Sequence, residues 1–212
     1  SVTSIGWGAF MDCESLTSIT IPDSVTSLDE YAFFNCNNLN SVYISGGVTT
    51  IASNAFNGAG NIKYVFIPST VTSVGSSAFT STTATFYLGK ASSSAISSWN
   101  SGWKNSSSTV KYNTSSNYSI TQFLNNAYSD WSFRSSTEDY VIVINYKGSK
   151  TAEKIPAMVN EVYFDDRDAS ISTALKNVTS LYVGTNVQMF MFSAPTGTKL
   201  TSLTLSSGLV SL

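Results

Sequence analysis

The sequence predicts a solenoid, a stack of similar coils, because one pattern returns every 23 residues. The segment Val-Thr-Ser-Ile at residues 2–5 returns in closely similar form at 25–28, 48–51 and 71–74. An Ala-Phe pair keeps the same interval, beginning at residue 9. A unit of this length cannot bury its apolar side alone, so it stacks on its neighbours. Such folds present long surfaces, which favours binding over catalysis.

Each repeat also contains the apolar pattern of a short strand. Leu-x-x-Ile-x-Ile at residues 16–21 returns as Leu-x-x-Val-x-Ile at 39–44 and Ile-x-x-Val-x-Ile at 62–67. This spacing is typical of the strand in a leucine-rich repeat, and its last alternation indicates a half-buried strand. We expect the Val-Thr-Ser-Ile segment to cross to the opposite side and the Ala-Phe segment to form a short helix or turn.

Joined together, these segments resemble the BspA-like leucine-rich repeat family, whose members are largely bacterial and protozoan surface proteins. The pattern V-T-S-I-x-x-x-A-F-x-x-C-x-x-L-x-x-I-x-I-P covers residues 1–88. The resemblance implies a leucine-rich repeat solenoid of the α/β type, with parallel strands on the concave face and an irregular or short helical convex side. The fourth repeat has lost two residues, since its strand ends at Leu88 instead of residue 90.

We predict two arrays. The first, residues 1–112, is a regular array of 23-residue repeats with an irregular C-terminal cap. In that cap Trp99 and Trp103 are spaced to cover the open edge of the core from one helical face. A tryptophan ligand site is the alternative interpretation.

The second predicted array, residues 113–212, is degenerate and has its own N-terminal cap at about 113–158. The strand pattern recurs in it at uneven intervals, at residues 159–164, 178–183 and 200–205. The chain opens inside a repeat and closes on the same motif, so we expect further residues at both ends in the parent protein.

Cys13 and Cys36 occupy the same position in adjacent repeats. Neighbouring coils lie about 5 Å apart, which permits a disulfide if the side-chain directions allow it. The third repeat has Ala59 at this position, and that substitution favours two small, inward-facing free thiols. The pairing stays open at this point.

Strand alternation predicts which side chains face the concave side, because residues flanking the middle apolar position point away from the core. In the first array they form two columns, one with Tyr64 and one with Tyr43, Phe66 and Tyr87. We predict an exposed aromatic stripe here that binds a partner. The alternative is that cross-strand aromatic pairs only stabilise the sheet. The candidate partner-binding residues, including those of the second array, are Tyr43, Tyr64, Phe66, Tyr87, Tyr163 and Tyr182.

Composition disfavours several function classes. Charged residues make up 11% and the net charge is −2, so the chain lacks the basic surface that nucleic-acid binding requires. No apolar run is long enough for membrane insertion. The chain has no histidine, which removes the usual catalytic triads and histidine-ligated zinc. The acidic run at residues 165–168 lacks the ligand spacing of a calcium loop. The sequence therefore predicts neither an enzyme nor a cofactor.

The resemblance implies a cell-surface or secreted interaction module, with adhesion to a host or matrix protein through the concave face. A carbohydrate-binding module is one alternative, in which the aromatic stripe stacks on sugar rings. A purely structural spacer within a larger surface protein is the other. Each of these implies an extracellular or cell-surface location.

Overall fold

A computed structural model describes the backbone of residues 1–112, 116–127, 131–135, 141–146, 152–154, 162–164, 180–183 and 201–205. Side chains are described for residues 1–112, 121–127 and 201. The chain divides into two compact units, Ser1–Ser119 and Ile120–Leu212. The regular repeats fall in the first unit.

Each repeat forms one coil that contributes a strand to each of two parallel sheets. The strands of residues 1–112 are, in chain order, β1 Ser4–Ile5, β2 Ser18–Ile21, β3 Ser27–Leu28, β4 Ser41–Ile44, β5 Thr50–Ile51, β6 Tyr64–Ile67, β7 Ser73–Val74, β8 Thr85–Leu88 and β9 Thr109–Tyr112. The larger sheet has the order β2-β4-β6-β8-β9 and the smaller one the order β1-β3-β5-β7.

The register of both sheets follows the sequence repeat. Val42 pairs with Val65 at an interval of 23 residues, whereas Val65 pairs with Phe86 at an interval of 21. In the smaller sheet Ile51 still pairs with Val74, 23 residues on. The predicted two-residue loss is therefore confirmed, and it falls between β7 and β8.

The side opposite the larger sheet is more regular than expected. The Val-Thr-Ser-Ile segments form the two-residue strands of the smaller sheet, and the Ala-Phe segments form turns. Within residues 1–112, all of which are described, the only helical element is a 3-10 helix at Ser93–Ile96. Every turn places a residue near its start in the left-handed region, namely Gly8, Tyr31, Asn54 and Ser77 with φ of 61°, 60°, 60° and 56°. The first three turns have a second such residue near their end, at Asp12, Asn35 and Gly58. This bend prevents the segment from continuing as a helix.

The core lies between the two sheets and contains a column of stacked rings. Phe33 stacks on Phe56 at 4.8 Å and Phe56 on Phe79 at 4.7 Å between ring centroids, with planes within 10° of parallel. Phe10 extends the column, 5.1 Å from Phe33. Burial of a phenylalanine side chain stabilises the fold by roughly 1.5–3 kcal/mol. The Ala-Phe pair therefore supplies the stacked ring of each of the four coils.

Hydroxyl groups join successive coils beside the smaller sheet. The Thr26 hydroxyl donates to the Thr3 carbonyl at 3.1 Å, and those of Thr49 and Thr72 donate one coil back at 3.2 Å. Ser98 continues the series by donating to the Thr72 carbonyl at 3.0 Å. This hydroxyl ladder is the reason for a threonine after the first valine of each repeat.

Residues 96–112, which belong to the predicted C-terminal cap, follow the course of a further coil. The amide of Phe79 donates to the Trp103 carbonyl at 2.8 Å, just as Phe56 donates to Ala78 one coil earlier. Strand β9 then pairs with β8. Trp103 thus stands where earlier coils have the alanine of the Ala-Phe pair.

Trp99 and Trp103 close the core, but they do so without a helix. Both are buried, and their rings meet edge to face at 5.2 Å. Trp103 also meets Phe86 at 4.7 Å and the end of the ring column, Phe79, at 6.2 Å. The expectation of one helical face is wrong, because the serine, asparagine and glycine residues between the two tryptophans favour turns. Their burial supports the capping interpretation over a ligand site.

The second unit begins within helix α1, Ser116–Ala127, in which Phe123 and Leu124 are buried. Strand β10 pairs antiparallel with β11, which pairs in parallel with β13, while β12, β14 and β15 form a separate parallel sheet. These strands are β10 Trp131–Ser135, β11 Val141–Tyr146, β12 Ala152–Lys154, β13 Val162–Phe164, β14 Ser180–Val183 and β15 Ser202–Leu205.

Part of the register predicted for the second unit is present. Leu181 pairs with Leu203, as the alignment of their strand patterns implies. Strand β13, the described part of the pattern at residues 159–164, pairs with β11 in the other sheet. A second array with its own N-terminal cap stays a prediction, and the acidic run at residues 165–168 lies outside the described residues.

Candidate interaction surfaces

The concave aromatic residues lie in one column, as the strand alternation predicts. Tyr43 pairs with Thr20 on one side and with Phe66 on the other. Tyr87 follows beside Phe66, and Lys111 follows beside Tyr87. We call Tyr43, Phe66 and Tyr87 the concave column.

The expectation that the concave column is exposed to solvent is wrong. Tyr43 is 6% exposed, and Phe66 and Tyr87 are each 1% exposed. Tyr43 stacks on Phe66 at 4.9 Å with ring planes 11° apart, and the Lys111 Nζ lies 5.3 Å from the Tyr87 ring centroid. These contacts remove ring faces from water. Strand alternation therefore predicts correctly which face of the sheet these side chains lie on. It does not predict how much of each side chain is accessible to solvent.

The phenols of the column are in a poorly hydrated environment. Burial raises the pKa of Tyr43, and the nearby negative charge of Asp23 raises it further. Burial also raises the pKa of Tyr87, with a smaller contribution from Tyr64. Both changes have the same cause, since a phenolate loses hydration when it is buried. The two hydroxyls therefore remain protonated at neutral pH.

The neighbouring column keeps part of its surface in contact with solvent. Tyr64 is half-buried and lies between Ser41 and Thr85 in the larger sheet. Of the two candidates in the second unit, Tyr182 pairs with Thr204 and Tyr163 with Ile142 in a different sheet. Only the backbone of those strands is described.

A second set of aromatic residues lies on the turns at the side of the stack. Trp7 is 67% exposed and meets Tyr31 edge to face at 5.9 Å. Tyr31 in turn meets Phe34 edge to face at 5.4 Å, and both are half-buried. We call Trp7, Tyr31 and Phe34 the lateral patch.

Sequence reasoning missed the lateral patch, although the repeat contains its signal. The third coil has Ser53, Asn54 and Asn57 at the positions of these three aromatic residues. The fourth coil is also polar at all three positions. Comparison of the repeats position by position would have separated these aromatic residues from those that recur in every coil.

The sequence of the coils is similar to that of a known repeat family. Residues 1–100 match the profile of the BspA type leucine rich repeat region, in six copies. The match covers just under half of the chain, and over that range the coils are similar to BspA-type leucine-rich repeats. The two parallel sheets and the 23-residue register are the form that the BspA-type pattern takes in this chain.

Three solved bacterial structures are similar to the chain. A leucine rich cell surface protein of Faecalibacterium prausnitzii is 20% identical, with 98% of this chain and 66% of that chain covered and a TM-score of 0.31. The pneumococcal vaccine antigen PcpA is 16% identical, with 99% of this chain and 57% of that chain covered and a TM-score of 0.38. A leucine-rich repeat protein of Bacteroides ovatus is 16% identical, with coverages of 99% and 66% and a TM-score of 0.39. The chain spans less than two thirds of each of these proteins. No curated protein is significantly similar in sequence.

The cysteines of the BspA-type repeats are free thiols with a packing role. Cys36 is buried, and its thiol donates to the Phe10 carbonyl at 3.1 Å. Burial raises the pKa of the Cys36 thiol, which keeps it in the unreactive protonated form. Cys13 is half-buried in the preceding coil. The structure therefore agrees with the free thiols that Ala59, at the equivalent position of the third repeat, favoured.

The described part of the chain has neither a metal-binding cluster nor a membrane-spanning helix. Among the described residues, no group of three or more histidine, cysteine or acidic side chains is placed to hold a metal ion. Within the same part of the chain, no helix combines the length and apolar character needed to cross a bilayer.

Proposed function

We propose that this chain is a non-catalytic interaction module of a cell-surface or secreted protein, and that it attaches to a host or matrix protein. The observation that carries the proposal is the continuous parallel pairing of the strands in the larger sheet. Five strands hold equivalent side chains of successive coils in fixed columns across the larger sheet. A rigid surface of this kind loses little conformational entropy when it binds a partner.

The concave face supports this function through its second column. Tyr64 is half-buried, while Ser18 and Thr109 at the two ends of that column are exposed. The concave column lies beside it and fixes its shape through the stacked rings of Tyr43 and Phe66. We therefore propose Tyr64 as the central contact, with the concave column as its support. Tyr163 and Tyr182 are proposed as contacts of the second unit.

The carbohydrate alternative required open ring faces on the concave column. Tyr43, Phe66 and Tyr87 are buried, so a sugar ring has no free aromatic face there to stack on. The spacer alternative needs no binding surface and makes a different prediction, the absence of any partner.

Binding of the full chain to a panel of purified extracellular-matrix proteins, set beside a glycan array, tests the proposal. We expect at least one matrix protein to bind the wild type and the Tyr64→Ala variant to bind at least tenfold more weakly. Ser73→Ala is the matched control, because Ser73 is exposed on the smaller sheet. Equal binding by the Tyr64 and Ser73 variants would remove the concave face from the function. Binding to glycans alone would replace the proposal with the carbohydrate alternative, and binding to neither would favour the spacer.

A further inference from the structure

The fold does not require aromatic residues in the lateral patch. The second and third coils make the same turn, with φ of 60° at both Tyr31 and Asn54. In the second coil Tyr31 meets the ring of Phe34, three residues later. In the third coil the corresponding residues are Asn54 and Asn57, whose side-chain amides are joined by a 3.1 Å hydrogen bond. Two short amides therefore complete the turn as well as two aromatic rings do.

The aromatic residues of the patch also carry a cost. A bulky side chain is rarely found at positive φ, a conformation that glycine and asparagine adopt more readily. The other coils place Gly8, Asn54 and Ser77 at this position. Trp7, in addition, stands where the other three coils have the polar residues Glu30, Ser53 and Ser76. A residue that costs stability and that the fold does not need is explained best by binding.

The charges around the patch indicate what it binds. No lysine or arginine occurs before Lys63, whereas the same stretch contains five acidic residues. Asp29 and Glu30 directly precede Tyr31, and both are exposed. Asp12 is exposed as well, and its carboxylate accepts a 3.1 Å hydrogen bond from Asn35, the residue after Phe34. The aromatic surface is therefore bordered by negative charge with no positive charge nearby in the sequence.

We infer that the lateral patch is a docking surface for a basic protein segment, one that presents arginine side chains. A guanidinium group stacks on the faces of tryptophan and tyrosine through cation–π attraction. The adjacent carboxylates of Asp29, Glu30 and Asp12 complement its charge. This surface is separate from the concave face and does not depend on the function proposed above.

The test measures the binding of a fluorescein-labelled oligo-arginine peptide to the full chain by fluorescence anisotropy, at low ionic strength where exposed charges are least screened. The variant Trp7→Ser/Tyr31→Asn/Phe34→Asn gives each position a residue that the third coil already has there. We expect its affinity to fall about tenfold, since several aromatic contacts with the cation are removed together. Oligo-lysine should bind the wild type more weakly than oligo-arginine, because only the guanidinium stacks.

Two further variants separate the aromatic contribution from the charge. Asp29→Asn/Glu30→Gln should weaken binding about fivefold with all rings in place. Ser76→Ala/Thr80→Ala is the matched control, since these residues hold the positions of Trp7 and Phe34 in the fourth coil. We expect its affinity to equal that of the wild type. If the triple variant does not fold by circular dichroism, the charge variant still decides the outcome.

Three results would overturn the inference. One is the absence of oligo-arginine binding to the wild type. Another is equal binding by the wild type and the two patch variants, which would mean that attraction is diffuse. The third is preferential binding of a labelled chito-oligosaccharide over oligo-arginine by the wild type, together with loss of the oligosaccharide binding in the triple variant. That result would assign the patch to glycans. None of these measurements involves a matrix protein, so the inference and the proposed function can fail separately.

Discussion

The concave column and the lateral patch each bring three aromatic side chains together across adjacent coils, yet their environments are opposite. The concave column stacks along a sheet and is almost fully buried. The lateral patch lies on turns, and its outermost residue, Trp7, is 67% exposed. Aromatic residues on a face that points away from the core can therefore be structural. Aromatic residues that interrupt a polar position of the repeat are the better indication of a binding surface.

The largest expected effect comes from removing a ring of the concave column. Phe66→Ala should lower the free energy of unfolding by about 3–5 kcal/mol, because it leaves a cavity at a site that is 1% exposed. Phe34→Asn, in the lateral patch, should change it by less than about 1 kcal/mol. Urea unfolding followed by circular dichroism measures both. Similar losses in the two variants would mean that the column and the patch do not differ in structural role.

A second prediction concerns how closely the coils approach one another after β4. Gly47 follows β4, and a Cβ atom there would overlap the carbonyl oxygen of Asp23 in the coil before it. Gly46 directly precedes Gly47, and a Cβ atom there would lie at an ordinary contact distance, 3.7 Å from the Asp23 Oδ1. Gly47→Ala should therefore destabilise the fold by about 2 kcal/mol, as overpacking does.

Gly46→Ala is the control for that prediction, and its urea midpoint should match that of the wild type. If both alanine variants were equally stable, the close approach of the coils at Gly47 would contribute nothing to the stability of the fold.

The third prediction concerns the alkaline stability of the concave column. Burial raises the pKa of Tyr43 in the folded state, whereas the unfolded chain releases this proton near pH 10. Its contribution to stability is therefore fully present below pH 10 and is lost as the pH rises through the folded-state value. The expected slope is about 1.4 kcal/mol per pH unit between the two pKa values.

Tyr43→Phe removes this ionisation, so its free energy of unfolding should fall less steeply above pH 10 than that of the wild type. Urea unfolding at several pH values from 9 to 11.5 measures the slope. Equal slopes in the two proteins would show that Tyr43 titrates as an exposed phenol, and the column would then be open to water.

The smallest expected effect is a gain at the lateral patch. Tyr31→Asn relieves a bulky residue at φ 60°, a conformation that Asn54 already adopts in the next coil. Stability should rise by about 0.5 kcal/mol, because the lost ring contacts offset part of the relief. The reciprocal change, Asn54→Tyr, should lower it by a similar amount. A clear loss of stability in Tyr31→Asn would mean that the lateral rings are structural after all.

Much of the first unit could be predicted from the sequence, because a repeat imposes one local structure at regular intervals. The 23-residue period gave the pairing of Val42 with Val65, the alignment of the concave column and the shortened fourth repeat. Burial of Trp99 and Trp103 could also be predicted, since the last coil of a stack needs bulky apolar groups. Their conformation could not, because the residues between them favour turns that a spacing rule ignores.

The solvent accessibility of the concave column was the main property that the sequence pattern could not predict. Alternation places Tyr43 and Phe66 away from the core, but exposure depends on every group that packs over that face. The lateral patch is different in kind. Its information was present in the sequence, in the contrast between Tyr31 and Asn54, and needed a comparison between repeats instead of within one.

The hydroxyl ladder and the parallel sheets also determine how the stack responds to tension. Hydrogen bonds between coils run along the axis of the stack, so a pulling force along that axis stretches all of them at once and breaks them one coil at a time. Each released coil of 23 residues would lengthen the chain by about 80 Å. A module anchored at one end and bound at the other would therefore yield in successive, nearly equal steps, with a shorter step at the coil that has lost two residues.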